Sequence, residues 1–113
     1  MQIEIQSRNI TLTKELRSLL KKRVEFAFNR FHHRIQKIRV RLDDINGPKG
    51  GIDKDCQFYL TLPDQPDVVV RSQASEIEAA ISKTASRSAS ALSRKFSKRH
   101  YKRDLHRSQT LEA

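Results

Sequence analysis

The sequence predicts an α+β fold, a β-α-β-β-β-α two-layer sandwich in which two helices cover one face of a four-stranded sheet. Two periodicities point to it: apolar residues alternate with polar ones in four segments, as in half-buried strands, and recur at helical spacing in two others. A third observation is that no internal repeat or linker divides the 113 residues. A single domain over 1–103 is therefore expected, followed by a C-terminal tail, 104–113, with too little apolar content to pack.

The first strand is "QIEIQS", with Ile3 and Ile5 on one face. Thr13 is placed to cap the helix that follows, and Glu15 suits the positive end of its dipole. No proline or glycine interrupts "KELRSLLKKRVEFAFNRF", and Leu16, Leu20, Val24, Ala27, Phe28 and Phe31 fall on one stripe at about 100° per residue. In "IQKIRVRLDD", Ile38, Val40 and Leu42 alternate with Lys37, Arg39 and Arg41. The stretch "INGPKGGIDKD" is a long connection, with three glycines and a proline to break regular structure and Lys49 available to an anion. "CQFYLTL" resumes the alternation, placing Cys56, Phe58, Leu60 and Leu62 inward. A connection containing Pro63 and Pro66 leads to a fourth strand, "DVVVRSQ". Ser75 is placed to cap the last helix, with Glu76 and Glu78 in its first turn, and that helix is expected to reach about Lys102.

Lys and Arg outnumber Asp and Glu 23 to 13, a formal net charge of +10. The excess is uneven: nine basic side chains and one acidic one lie between Lys83 and Arg107. A local excess of this size raises affinity for polyanions, nucleic acid foremost. One cysteine allows no intrachain bridge, and the N-terminal stretch has no apolar run of the signal-peptide or membrane-span kind, so a cytoplasmic protein without membrane attachment is expected.

On the last helix Ile77, Ala80, Ile81, Thr84, Ser88, Ala91, Leu92 and Phe96 share a small-residue core face. Lys83, Arg87, Arg94 and Lys98 form a separate stripe along its flank, and Ser82, Ser86, Ser90, Ser93 and Ser97 lie outward. Arg23 and Arg30 project at the edge of the first helix's apolar stripe, between Leu19 and Phe26. If the helices lie side by side, Arg23 and Arg30 face Arg87 and Arg94 across one groove, an arrangement suited to phosphate because Arg donates in a planar fork. Lys95, Arg99 and Lys102 add to this RNA-binding set, and Lys37, Arg39, Arg41 and Arg71 form a secondary set on the open sheet face, beside Tyr59.

The element order, "TLTKELRSLLKKRVEFAFNRF" followed by "IQKIRVRL", and the closing "AAIS…R…LSRK…K" resemble the ribosome hibernation-promoting factors, also called ribosome-associated inhibitors or sigma-54 modulation proteins, in their short form. The resemblance covers Met1 to about Arg99 and lies in the combination of elements, with no single diagnostic motif. It implies a protein that binds the small ribosomal subunit and its rRNA in the channel used by messenger RNA and tRNA, competing with both and inhibiting translation on idle ribosomes. Arg23 matches a basic position of the family's first helix, and Arg30 and Phe31 match the basic or aromatic pair at its end. Arg87 and Arg94 match basic positions of the last helix, and Lys98 and Arg99 fall in its basic end. Ser90 and Ser93 stand where family members often carry charge, and the loop at 46–55 is longer and richer in glycine than in the commonest members.

Other chemistries find little support. His32, His33, His100, His106 and one cysteine lack zinc-site spacing, "DDINGPKGGIDKD" lacks the order of a calcium loop, and "GPKGG" lacks both Walker spacing and a following helix. No cofactor or metal is expected, and a monomer off the ribosome is. Two alternatives stay open: a general structured-RNA-binding module, and a ribonuclease using His32 or His33 with a nearby lysine, although no nucleophile-base-orienter set can be assembled. Cys56 reads as a small hydrophobe of the core.

Overall fold

The structure, a computed structural model, describes residues 1–45, 53–63 and 65–112, with side chains described as far as Ser97. The Gly-rich stretch with Lys49 lies outside the described residues.

The predicted order is found. Strand β1 (Gln2–Arg8) is followed by helix α1 (Lys14–Phe28), a 3-10 segment (Asn29–Arg34), β2 (Lys37–Asp44), β3 (Lys54–Leu62), β4 (Gln65–Ala74) and α2 (Ile77–Glu112). The sheet order is β1-β2-β3-β4. β1 pairs β2 in parallel, Ile3 beside Ile38 and Ile5 beside Val40, while β2–β3 and β3–β4 are antiparallel. A parallel neighbour needs a crossover, and α1 supplies it.

Each element has a local cause. Asn9, at φ 61°, turns the chain out of β1 in the left-handed region that Asn tolerates. Thr13 caps α1 as predicted, its hydroxyl accepting from the Leu16 amide at 3.1 Å. The α-helix ends at Phe28, so Arg30 and Phe31 belong to the 3-10 segment and not to the continuous helix the sequence predicts. Helix ends commonly tighten this way, because the terminal carbonyls lack i+4 partners. Pro66 lies inside β4, not in the connection before it. β4 is an edge strand, where a missing amide breaks no essential ladder bond. α2 starts at Ile77, its first bond running from the Ala80 amide to the Glu76 carbonyl at 3.0 Å, so the cap position falls on Glu76 and not Ser75. The helix continues to Glu112 and not to about Lys102, since nothing in "DLHRSQTLE" breaks a helix.

The core lies between sheet and helices. Leu20, Val24 and Phe28 of α1 meet Ile38 and Val40 of β2, Phe58 and Leu60 of β3, and Ala80, Ile81 and Leu92 of α2, all fully buried. Each large apolar side chain so buried contributes about 1.5–3 kcal/mol. Phe28 and Phe58 pack at 6.2 Å between centroids. α2 meets the sheet in part through small residues, Ala80, Thr84 and Ser88, which permit close approach. The Thr84 hydroxyl donates back to Ala80 O at 2.7 Å and lies 3.3 Å from Cys56 O, tying the helix to β3.

Ser88 departs from this economy: its buried hydroxyl has no hydrogen-bond partner. An unsatisfied buried hydroxyl costs about 1–3 kcal/mol, and alanine is also the better helix former. Ser88→Ala should therefore raise stability by about 1 kcal/mol in denaturant unfolding, with an unchanged m-value.

Cys56 is buried as predicted, and burial pushes its thiol from 9.0 up to about 12. The folded state thus favours the protonated thiol, so this contribution to stability is complete below about pH 9 and declines as pH rises toward 12. Two results are expected: thiol reagents at pH 8 label Cys56 only upon unfolding, and Cys56→Ala loses part of the alkaline destabilisation seen above pH 9.

Candidate RNA-binding surface

α1 turns two different flanks outward. Lys21, Glu25, Asn29 and His32 line a cleft with Met1 and Ile3 at the β1 edge. The opposite flank, carrying half-buried Leu19 and exposed Arg23, Phe26 and Arg30, therefore looks toward α2. At its end the helices are joined by aromatic contact, Phe31 against Phe96 with centroids 5.3 Å apart. Two cations sit on this pair: the Arg30 guanidinium carbon lies 4.8 Å from the Phe31 centroid, and that of Arg34 lies 3.8 Å from the Phe96 centroid. Stacking on a ring orients a guanidinium while leaving its edge donors free for an anion.

Arg34 was not among the residues predicted. Its only sequence signal is the basic run "FHHR", and nothing local says that Phe96 lies beneath it.

The cations of α2 lie elsewhere than the sequence predicts. Arg87 Nη1 donates to Arg71 O at 2.7 Å and to Ser72 Oγ at 2.9 Å, and Lys95 Nζ donates to Pro66 O at 3.0 Å. All three acceptors belong to β4, the outer edge strand. Because Phe96 looks toward α1 while Arg87 reaches over β4, Arg87 and Arg94 do not face Arg23 and Arg30 across a shared groove. α2 spans β3 and β4, so the flank holding Lys83, Arg87 and Arg94 overhangs the sheet edge on the side away from α1. Toward α1 it turns buried Ala85 and half-buried Ser82, Ala89 and Ser93. The predicted groove is thus replaced by two cationic strips on the helix layer, one on each side of a small-residue seam. The side chains of Lys98, Arg99 and Lys102 lie outside the described residues.

On the open sheet face, two of the four cations of the secondary set are neutralised by carboxylates. Lys37 pairs with Glu4 at 2.8 Å and Arg71 with Asp55 at 2.8 Å. Arg39 lies over Tyr59, 5.2 Å from its centroid, and Arg41 is exposed between Gln6 and Gln57 in the sheet register. Lys54, at the base of the Gly-rich connection, bridges Asp44 and buried Asp53 at 3.1 Å each.

These pairs have a common location. Among the described residues, every ion pair is made by a cation of β2, β3 or β4, and none by a cation of α1, the 3-10 segment or α2. Arg87 and Lys95 are pinned, but by carbonyl and hydroxyl oxygens that leave their charge uncompensated. Over residues 14–34 alone, seven Lys or Arg stand against two Glu. No group of three potential metal ligands occurs among the described residues, and none of their helices is long and apolar enough to cross a membrane.

Comparison with known proteins agrees with this architecture. A ribosomal subunit interface protein from Coxiella burnetii superposes with a TM-score of 0.70 at 14% identity, over 86% of this chain and 99% of that one. The N-terminal domain of Protein Y from Thermus thermophilus superposes with a TM-score of 0.65 at 20% identity, over 82% of this chain and 93% of that one. At these identities the likeness is one of fold. No curated protein matches the sequence significantly. The sigma 54 modulation protein / S30EA ribosomal protein family matches residues 3–100, nearly the whole chain, and the protein belongs to that family.

Proposed function

We propose that this protein binds the small ribosomal subunit through its helix layer, lies in the channel used by messenger RNA and tRNA, and thereby inhibits translation on idle ribosomes in the cytoplasm. Membership of a ribosome-associated family supports the partner, as does the fold it shares with a ribosomal subunit interface protein. The observation that carries the choice of surface is the segregation of charge. In the sheet Lys37, Lys54 and Arg71 are held by carboxylates, whereas the cations of the helix layer have no anionic partner among the described residues. A phosphate backbone supplies that partner and releases its own counterions on contact.

Such binding is stoichiometric and turns nothing over. Inhibition in a translation assay should saturate near one copy per ribosome, and excess tRNA and messenger should reverse it. Co-sedimentation with small subunits checks the partner. Strong inhibition at far lower ratios, with cut rRNA, would favour the ribonuclease reading instead, and equal affinity for arbitrary duplex RNA would favour a general RNA-binding module. His32 and His33 are both exposed with their rings packed edge to face at 5.4 Å, and no observation singles them out for catalysis.

The two ways in which α2 holds its cations give a sharper test. Lys83 and Arg94 are exposed, so Lys83→Ser or Arg94→Ser should leave the melting temperature unchanged while weakening small-subunit binding. Each should also flatten the slope of log affinity against log salt by roughly 0.7–0.9. Arg87→Ser should weaken binding similarly but also cost about 1 kcal/mol of stability, because Ser72 Oγ and the Arg71 carbonyl lose their donor. Thermal melts and salt-dependent titrations on the same three variants decide the matter. Unchanged affinity in all three, with folding verified, would remove this flank from the interface.

A further inference from the structure

Phe26 is 87% exposed, far more than the other exposed large apolar residues, Val69 at 47% and Ile45 at 44%. The remaining aromatic residues with described side chains are occupied: Phe28 packs on Phe58, Phe31 on Phe96 and under Arg30, Phe96 under Arg34, and Tyr59 under Arg39. Among the described residues, neither a ring nor a cation lies on the faces of Phe26. Folding hides none of this ring to advantage, and α1 gains nothing from an aromatic residue at a solvent position, where straight-chain residues are better helix formers.

Its neighbours say what the ring would meet. Arg23 stands three residues before it and Arg30 four after, both exposed, and Lys22 is exposed four residues back. Glu25, the nearest acid in sequence, lies on the other flank with Lys21 and Asn29. A protein partner of ordinary kind needs a contiguous apolar patch with charge depleted at its centre. Here a single ring is bracketed by cations, the combination by which single-stranded nucleic acid is held, phosphates on the cations and a base on the ring.

Resting on the ribosome-binding reading above, we propose that Phe26 is a stacking platform for an unpaired RNA base, with Arg23 and Arg30 contacting the flanking phosphates. The ring adds a non-ionic contribution to a surface otherwise held by charge, and it favours single-stranded or looped RNA over continuous duplex, in which no base face is free.

The chain contains no tryptophan, so Phe26→Trp places a unique fluorophore at this position. The test is titration of the parent, Phe26→Trp and Phe26→Ala with purified small subunits and with protein-free small-subunit RNA, across a range of salt. Stacking predicts that Phe26→Trp binds like the parent and that its fluorescence is quenched at saturation. Phe26→Ala should bind both targets about 5- to 100-fold more weakly, the loss of one aromatic–base stack, with an unchanged salt slope. Neither variant should melt below the parent, since the position is exposed and alanine is the better helix former. Parent-like binding by Phe26→Ala, or an unquenched Trp in the saturated complex, would overturn the stacking while leaving the ribosome reading intact. A loss confined to intact subunits would assign Phe26 to a ribosomal protein and overturn it as well. If the parent itself fails to bind small subunits, the ribosome reading and this proposal fall together.

Discussion

The close seating of α2 on β3 and β4 is the contact on which the rest of the surface depends. It is helped by the small buried residues Ala80, Thr84 and Ser88 that the helix turns toward the sheet beside Ile81 and Leu92. Thr84 adds a directional tie, its hydroxyl shared between its own helix at Ala80 and the β3 carbonyl of Cys56. With the helix held so near, Arg87 reaches Arg71 O and Ser72 Oγ, and Lys95 reaches Pro66 O. On the other flank the same seating brings Phe96 onto Phe31 and under Arg34. A bulkier face would lift α2 and loosen both sets of contacts.

Charge follows the layers. Glu4, Asp44 and Asp55 of the sheet, with Asp53 just before β3, neutralise Lys37, Lys54 and Arg71 of the sheet. The helix layer keeps its positive charge and orients part of it against neutral acceptors and aromatic rings. Such an arrangement costs some self-repulsion in the free protein, moderated by salt, and returns it as on-rate and affinity when a polyanion arrives. Ordering the cations beforehand reduces the side-chain entropy lost on binding, so the surface is prepared as well as charged.

Most of the fold was legible in the sequence because its determinants are local. Alternation in "IQKIRVRL" and "CQFYLTL" reports which side of a strand meets the core, and the Thr13 cap is a property of four consecutive residues. Cys56 was assignable to the core from its alternation with Phe58 and Leu60 alone. The misses are of two kinds. Pro66 and the 3-10 end of α1 reflect position at an edge or terminus, which local pattern does not reveal. Ser75 was displaced by one residue as the cap of α2, an error in a boundary and not in an element.

The candidate site divides along the same line. Sequence by itself determined that Arg23 lies on the flank of the first helix beside Leu19 and Phe26 and that Lys83, Arg87 and Arg94 share one flank of the last, since a helix repeats every 3.6 residues whatever surrounds it. Only the tertiary structure decided what each flank faces. That choice depends on which strands the helix covers and how closely it approaches, and these are set by packing between residues far apart in the chain. Arg87 therefore meets β4 and not Arg23, and Arg34 finds Phe96, while Phe26, which helical spacing already sets off the stripe that holds Phe28, stands in water.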